Sequence, residues 1–285
     1  MSDIQLEYRV PSADLQPFVT LFYHFRATMP VFEDTERADH AQLRFRIAGP
    51  SSTYSFPDGT VQEGGPIHVI GPTSGAYRSR GAGPVLEVVG MGLQPAGWAA
   101  MLGIEASSLL NRAVDGDMLF GEPAQSALVA IRVGQGTDAK VAAAETFVRT
   151  LIAGSDSRTL VFARAIDAWL ADELSPDVDA LIAATGLSRR QVERRCNTLY
   201  GAPPKVLARK YRALKAAVAL ASGEASMDAL LGEGFYDQSH LIREVKQFTG
   251  LTPKQVQTES TPLSRLTMAA RKALGGQVHR IISDT

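Results

Sequence analysis

The chain has 285 residues, 45% of them hydrophobic and 21% charged, with a formal net charge of −1 and one cysteine. That length can bury sizeable cores in two or more domains. The composition excludes a spanning helix, because no run approaches the ~18 consecutive apolar residues one needs. Cys196 alone excludes an intramolecular disulfide framework and a thiolate cluster for zinc. Met1 to Val10 holds Asp3 and Glu7 without an apolar signal core, so a cytoplasmic home is expected. The charge is lopsided: residues 1–175 carry 13 Lys+Arg against 20 Asp+Glu, and residues 176–285 carry 16 against 10. The basic end is the candidate for nucleic acid.

From Leu6 to about Leu93 the pattern predicts short strands. Phe18–Phe25, Gln42–Ile47, Ile67–Ile70 and Val85–Val89 are β-branched or aromatic runs, parted by turn material such as Gly49-Pro50, Pro57-Asp-Gly59 and Gly81-Ala-Gly-Pro84. Such spacing suggests a barrel or a sandwich. Arg44 and Arg46 alternate with Leu43, Phe45 and Ile47, so both arginines share one face of a strand. If that face looks inward they suit an anionic effector; the commoner use of such a face is contact with water. His24, His40 and His68 are scattered and lack metal-ligand spacing, so no metal and no cofactor is expected.

Near Pro95 the period changes to helical. Trp98, Met101 and Leu102 share a face, and further helices are predicted through Ala127–Ile131, Val141–Ile152 and Leu160–Leu170. The stripe Val141, Ala144, Phe147, Val148 and Leu151 serves either core packing or a dimer contact.

Asp177 to Gly201 reads as a helix-turn-helix. Val178, Leu181 and Ile182 face inward, Gly186 permits the turn, Ser188 caps the next helix, and Val192, Cys196 and Leu199 hold it in the core. Its outward face carries Arg189, Arg190, Glu193 and Arg194. Arginine's planar fork meets guanine O6 and N7, or a phosphate, in a bidentate manner. Pro203-Pro204 opens a helix to about Leu220 carrying Arg209 and Arg212 as candidate phosphate contacts. At ~1.5 Å per residue that rod spans about 25 Å, close to the ~34 Å between successive major grooves on one DNA face.

Gly234 to Pro253 reads G-F-Y-D-Q-S-H-L-I-R-E-V-K-Q-F-T-G-L-T-P. Asp237 is a good N-cap, Leu241, Val245 and Phe248 recur at helical spacing, and Gly250 with Pro253 supplies the stop. Gln238, Ser239, His240, Arg243 and Lys246 lie on the other face.

This run resembles the second helix-turn-helix of AraC/XylS-type transcription regulators, whose pattern is G-F-x-D-x-S-H-F-x-R-x-F-K-x-x-x-G-x-T-P. The resemblance implies an α+β chain: a cupin-like β-barrel with helices in residues 1–155 for sensing and dimerisation, then an all-α DNA-binding domain in 156–259. It assigns base-edge contacts to Arg190, Glu193 and Arg194 and to Ser239, His240 and Arg243. It also implies duplex DNA, a small-molecule effector, RNA polymerase and a second copy of the chain as partners, no chemical step, and action as an activator. Cys196 and Val245 stand where the family has Phe, and Gly232 and Glu233 depart from its pattern. Residues 260–285 form a tail beyond the family's usual end. The competing expectations are a cupin-type metalloenzyme fused to a DNA-binding appendage, and a partner-binding modulator with weakened DNA reading.

Overall fold

The computed structural model describes residues 3–153, 156–258 and 261–283. Both expected domain boundaries, at 155 and at 259–260, therefore fall outside the described residues, as do Asp284 and Thr285 and the side chain of Glu233.

Ten strands form two antiparallel sheets. The larger orders β1 (Asp3–Arg9), β2 (Val19–Thr28), β9 (Leu86–Leu93), β4 (Gln42–Ala48), β7 (Ile67–Ile70) and β10 (Ala113–Asp115); the smaller orders β3 (Val31–Glu36), β8 (Tyr77–Ala82), β5 (Ser52–Ser55) and β6 (Val61–Gly64). The expected barrel is corrected to an open sandwich, because β1 and β3 end their sheets and do not pair with each other. The alternation on β4 sets the layering. Leu43 and Phe45 join the core under the helices, while Arg44 and Arg46 are turned to the other face and buried rather than solvated.

On the helical side lie α1 (Pro95–Met101), a 3₁₀ turn at Ala106–Leu109, α2 (Gly116–Phe120), α3 (Glu122–Val133) and α4 (Gly136–Leu151). Val141, Ala144, Phe147 and Val148 of α4 pack into this core, so the stripe that offered a dimer contact is spent on the fold.

The rest of the chain is helical: α5 (Ser157–Asp172), α6 (Val178–Thr185), α7 (Arg189–Tyr200), α8 (Pro204–Ala221), α9 (Met227–Glu233), α10 (Gln238–Thr249), α11 (Pro253–Thr258), α12 (Pro262–Lys272) and α13 (Arg280–Ser283). The 18-residue α8 is buried on several sides. Leu207 and Tyr211 pack with α5, α6 and α7; Ala216, Ala217 and Leu220 pack with α9, α10 and α11; Ala213 and Leu214 meet Ala38 of the strand-rich unit. The tail folds back. Helix α12 lies along the edge strands β1 and β3, and α13 buries Ile281 and Ile282 beside α5. No helix among the described residues is long and apolar enough to cross a membrane.

Candidate nucleic-acid interface and effector cavity

The first helix-turn-helix is fixed by local chemistry. Asp177 caps α6 by accepting from the Asp179 backbone N–H, Gly186 ends that helix at φ 64°, and Ser188 forms a capping box with Gln191 at the start of α7. Leu181, Val192 and Cys196 are buried, and burial pushes the Cys196 thiol up to about 12, so it acts as a small hydrophobe. Outside, Arg190, Glu193 and Arg194 are exposed and meet no partner among the described residues. Arg189 is also exposed but pairs with Asp179 at 2.5 Å. Arg195, at the rim, lies over the Phe162 ring at 5.4 Å.

In the second unit, Ser226 caps α9 and the Asp237 side chain caps α10 by accepting from the His240 N–H at 2.7 Å. Leu241, Val245 and Phe248 are buried, and Gly250 closes the helix at φ 79°. Gln238, Ser239, Arg243 and Lys246 are exposed. His240 is only half-buried and turned into the fold: its Nδ1 accepts from the Tyr236 N–H at 3.2 Å, and its Nε2 lies 3.2 Å from Glu244.

Glu244, 1% exposed, is the centre of this unit. It accepts from Arg209 Nε at 2.6 Å and Arg212 Nη2 at 2.7 Å. The two arginines expected at phosphates are thus held by a buried carboxylate that ties α8 to α10. Tyr236, absent from the expected set, stands 94% exposed in the turn before α10. An aromatic at the variable position of G-F-x-D was the available signal.

One loop of the strand-rich unit touches both recognition helices. Pro72 lies against Gly201, the φ 76° residue ending α7, where a Cβ would come within 2.9 Å of its ring. A few residues on, the Ala76 N–H donates to Gln247 O at 2.8 Å, and the Ala38 N–H donates to Phe248 O at 2.7 Å. Gly250 is required here, since a Cβ would sit 2.4 Å from Thr35 Cγ2. Asn111, at φ 56°, holds the loop by accepting from Ser74 N–H at 2.9 Å.

Between the sheets and α8 lies a cavity of about 120 Å³. Phe25, Phe32, Leu86 and Val88 form its apolar wall, Leu214 and Val218 bring α8 to it, and Leu263, Thr267, Met268 and Arg271 bring α12. Of the two arginines singled out in β4, Arg44 lines the cavity and Arg46 does not. Arg44 is already matched: it donates to Glu36 at 3.0 Å and to the Tyr23 hydroxyl at 2.9 Å. Burial alone would raise the Glu36 carboxyl, and Arg44 beside it holds it below the usual range. Arg46 donates to Gly64 O at 3.3 Å.

The histidines are used by the fold. His24 bonds Thr137 and Glu87, His40 bonds Asp39 and Tyr211, and His68 bonds Tyr54 and the Gly65 carbonyl. Burial lowers His68 to about 3, so it is neutral. Among the described residues no three His, Cys, Asp or Glu side chains are grouped to hold a metal.

Two capped, outward-facing recognition helices joined by a rigid rod define a DNA-binding protein of the double helix-turn-helix class. Residues 181–259 match the family described as "Helix-turn-helix domain", of AraC type, and the protein is a DNA-binding transcription regulator. No curated protein matches the sequence. Among solved structures, the chain is similar to an apo variant of ToxT from Vibrio cholerae, with TM-score 0.46, 10% identity, and 84% of this chain and 98% of that one covered. It is similar also to ToxT bound to an unsaturated fatty acid, with TM-score 0.46, 9% identity and 89% and 98% covered. The AraC-like transcriptional activator CuxR aligns with TM-score 0.30, 14% identity and 68% and 79% covered. At these values the function rests on the helix-turn-helix match and the geometry above.

Proposed function

We propose that residues 1–155 sense a small molecule in the inter-sheet cavity and that residues 156–259 read duplex DNA with α7 and α10 in successive major grooves. Arg190, Glu193 and Arg194 meet base edges from α7, and Ser239 and Arg243, flanked by Gln238, do so from α10. Tyr236 packs on the backbone beside them. One observation carries this: the side chains of α7 that the fold leaves unpaired, Arg190, Glu193 and Arg194, lie on the face away from its buried residues. His240, Arg209 and Arg212 support α10 through Glu244, and phosphate contact by either arginine requires exchange of that partner. Effector occupancy reaches α10 and α7 through α8 and the Gly71–Ala76 loop. The protein acts in the cytoplasm as an activator that contacts RNA polymerase, as a homodimer, and carries out no chemical step.

Binding of fluorescent operator DNA, selected from genomic fragments, tests the reading. Arg190→Ala and Arg243→Ala are each expected to cost about 1–3 kcal/mol and to relax specificity at one base position. Affinity should fall steeply with salt. Unchanged occupancy in the double variant would remove base reading by these helices.

A further inference from the structure

We propose that Glu193 is the specificity-determining residue of α7: it selects a cytosine, flanked by guanines that Arg190 and Arg194 read. The half-site under α7 is then G·C-rich, and the half-site under α10 carries no such cytosine. The inference rests on α7 lying in a major groove and goes further by naming the bases it selects.

A carboxylate on a DNA-reading face needs a reason, because the phosphates of the duplex repel it. Helix α7 carries four arginines, Arg189, Arg190, Arg194 and Arg195, and one acid, Glu193. That acid could be used to orient an arginine, yet it makes no hydrogen bond or ion pair among the described residues. Its natural partner one turn back is Arg189, since side chains four residues apart meet on a helix surface. Asp179 of α6 takes that guanidinium instead, at 2.5 Å. Arg195 is drawn to the other side, over the Phe162 ring at 5.4 Å. What remains is an exposed Glu193 with Arg190 three residues before it and Arg194 next to it, both exposed and unpaired among the described residues.

The base edges decide what such a group can accept from. In the major groove only the N4 amino group of cytosine and the N6 amino group of adenine donate. Adenine sets its N7 acceptor beside that donor, which a side-chain amide matches and an ionised carboxylate, having no donor, does not. Cytosine offers N4 with no acceptor of its own alongside, so the carboxylate fits cytosine. Guanine O6 and N7 both accept and suit the forked donors of the neighbouring arginines.

Helix α10 is built differently. Its one carboxylate, Glu244, is buried and held by Arg209 and Arg212, with His240 turned toward it. The exposed side chains Gln238, Ser239 and Arg243 include no acid. Selection for cytosine by a carboxylate therefore belongs to α7 alone.

Selection of random-sequence duplex DNA by the full chain, followed by sequencing of the bound fraction, tests this. The wild type should enrich a cytosine at one fixed position of each protomer's site, with guanines beside it on either strand. Replacing that cytosine in a selected duplex should weaken binding about ten-fold. Glu193→Gln, whose amide pairs with adenine N6 and N7, should move the preference at that position alone from cytosine to adenine. Glu193→Ala should abolish the preference there and keep the others. Glu193 is exposed, so neither variant disturbs the core. An unchanged motif in both variants overturns Glu193 as the selector, and α7 still stands as a reader if Arg190→Ala alters the motif. A wild-type preference for any other base at the position the variants change overturns the assignment to cytosine. Absence of any enriched motif in the wild type removes base reading itself, and this inference with it.

Discussion

Glu244 decides how the second recognition helix is held. Its carboxylate is buried between α8 and α10 and satisfied by Arg209, Arg212 and His240. Removing it strands Arg212, whose side chain is 11% exposed, more than Arg209, at 42%. Glu244→Ala is therefore expected to cost about 3 kcal/mol in urea unfolding, the low end for a broken buried pair. Burial pushes this carboxyl up, but the hydrogen bonds from Arg209 and Arg212 outweigh burial and hold it below its ordinary 4.5. A depressed carboxyl contributes fully above the unfolded value and loses its contribution as pH falls through the folded one. The gap between wild type and variant should therefore shrink below about pH 4; a gap independent of pH would show that the ion pairs carry none of it. Asp167 has the opposite sign. Burial raises it to about 7, with the Tyr200 hydroxyl 3.1 Å away. A raised carboxyl makes stability fall as pH climbs from its ordinary 3.8 to about 7, and the penalty is constant beyond. Asp167→Asn is expected to stabilise by about 1–2 kcal/mol near pH 8, reduced for partial exposure, and to change little near pH 4. Equal effects at both pH values would contradict a buried neutral acid.

Among the elements, the loop from Gly71 to Ala76 is the one that reaches the C-terminal ends of both α7 and α10. Its contact with α10 is backbone to backbone, through Ala76 N–H and Gln247 O. A Cβ at Gly75 would stand 2.8 Å from Gln247 O, an atom that cannot swing aside. Gly75→Val should displace the end of α10, cutting operator affinity by about ten-fold and weakening the footprint of the second unit more than the first. A full two-site footprint at wild-type affinity would mean that the loop does not position α10. The helices of both units were legible because their signals are local: Ser188 and Asp237 as caps, Gly186 and Gly250 as stops, apolar residues every three or four positions. Strands β2, β4, β7 and β9 announced themselves as β-branched runs. Strand β8 did not, since Tyr77-Arg-Ser-Arg-Gly-Ala sends its two arginines to solvent, and β3 carries Glu33, Asp34 and Glu36. The pairing of Arg209 and Arg212 with Glu244 joins residues 35 and 32 apart in sequence, which no local pattern encodes.

At the scale of the whole molecule, closure of the sandwich is likewise a long-range matter, and the tail provides it. The barrel expected from strand spacing would have paired β1 with β3; instead α12 lies along both edges, where it covers unpaired backbone that would invite association. Its N-terminus is pinned by Asp34, which accepts from the Leu263 N–H at 3.3 Å, and its far end by Lys272 pairing with Glu224 at 2.5 Å, beside the DNA-binding unit. Helix α13 then buries Ile281 and Ile282 beside α5. Together with the backbone bonds from Ala38 and Ala76, these contacts join the two halves too extensively for them to unfold separately. The chain carries two tryptophans, Trp98 beneath the sheet and Trp169 on α5, one reporter in each half. Urea transitions followed through Trp98 alone, in Trp169→Phe, and through Trp169 alone, in Trp98→Phe, should each show the cooperativity of the whole chain. Ile281→Ala, removing a fully buried side chain of the tail, is expected to cost about 3 kcal/mol. If the tail binds the halves into one unit, that loss shifts both transitions by the same amount. A shift confined to Trp169 would mean that α13 stabilises only the helical half, and that the sensor and reader communicate through α8 and the Gly71–Ala76 loop without the tail.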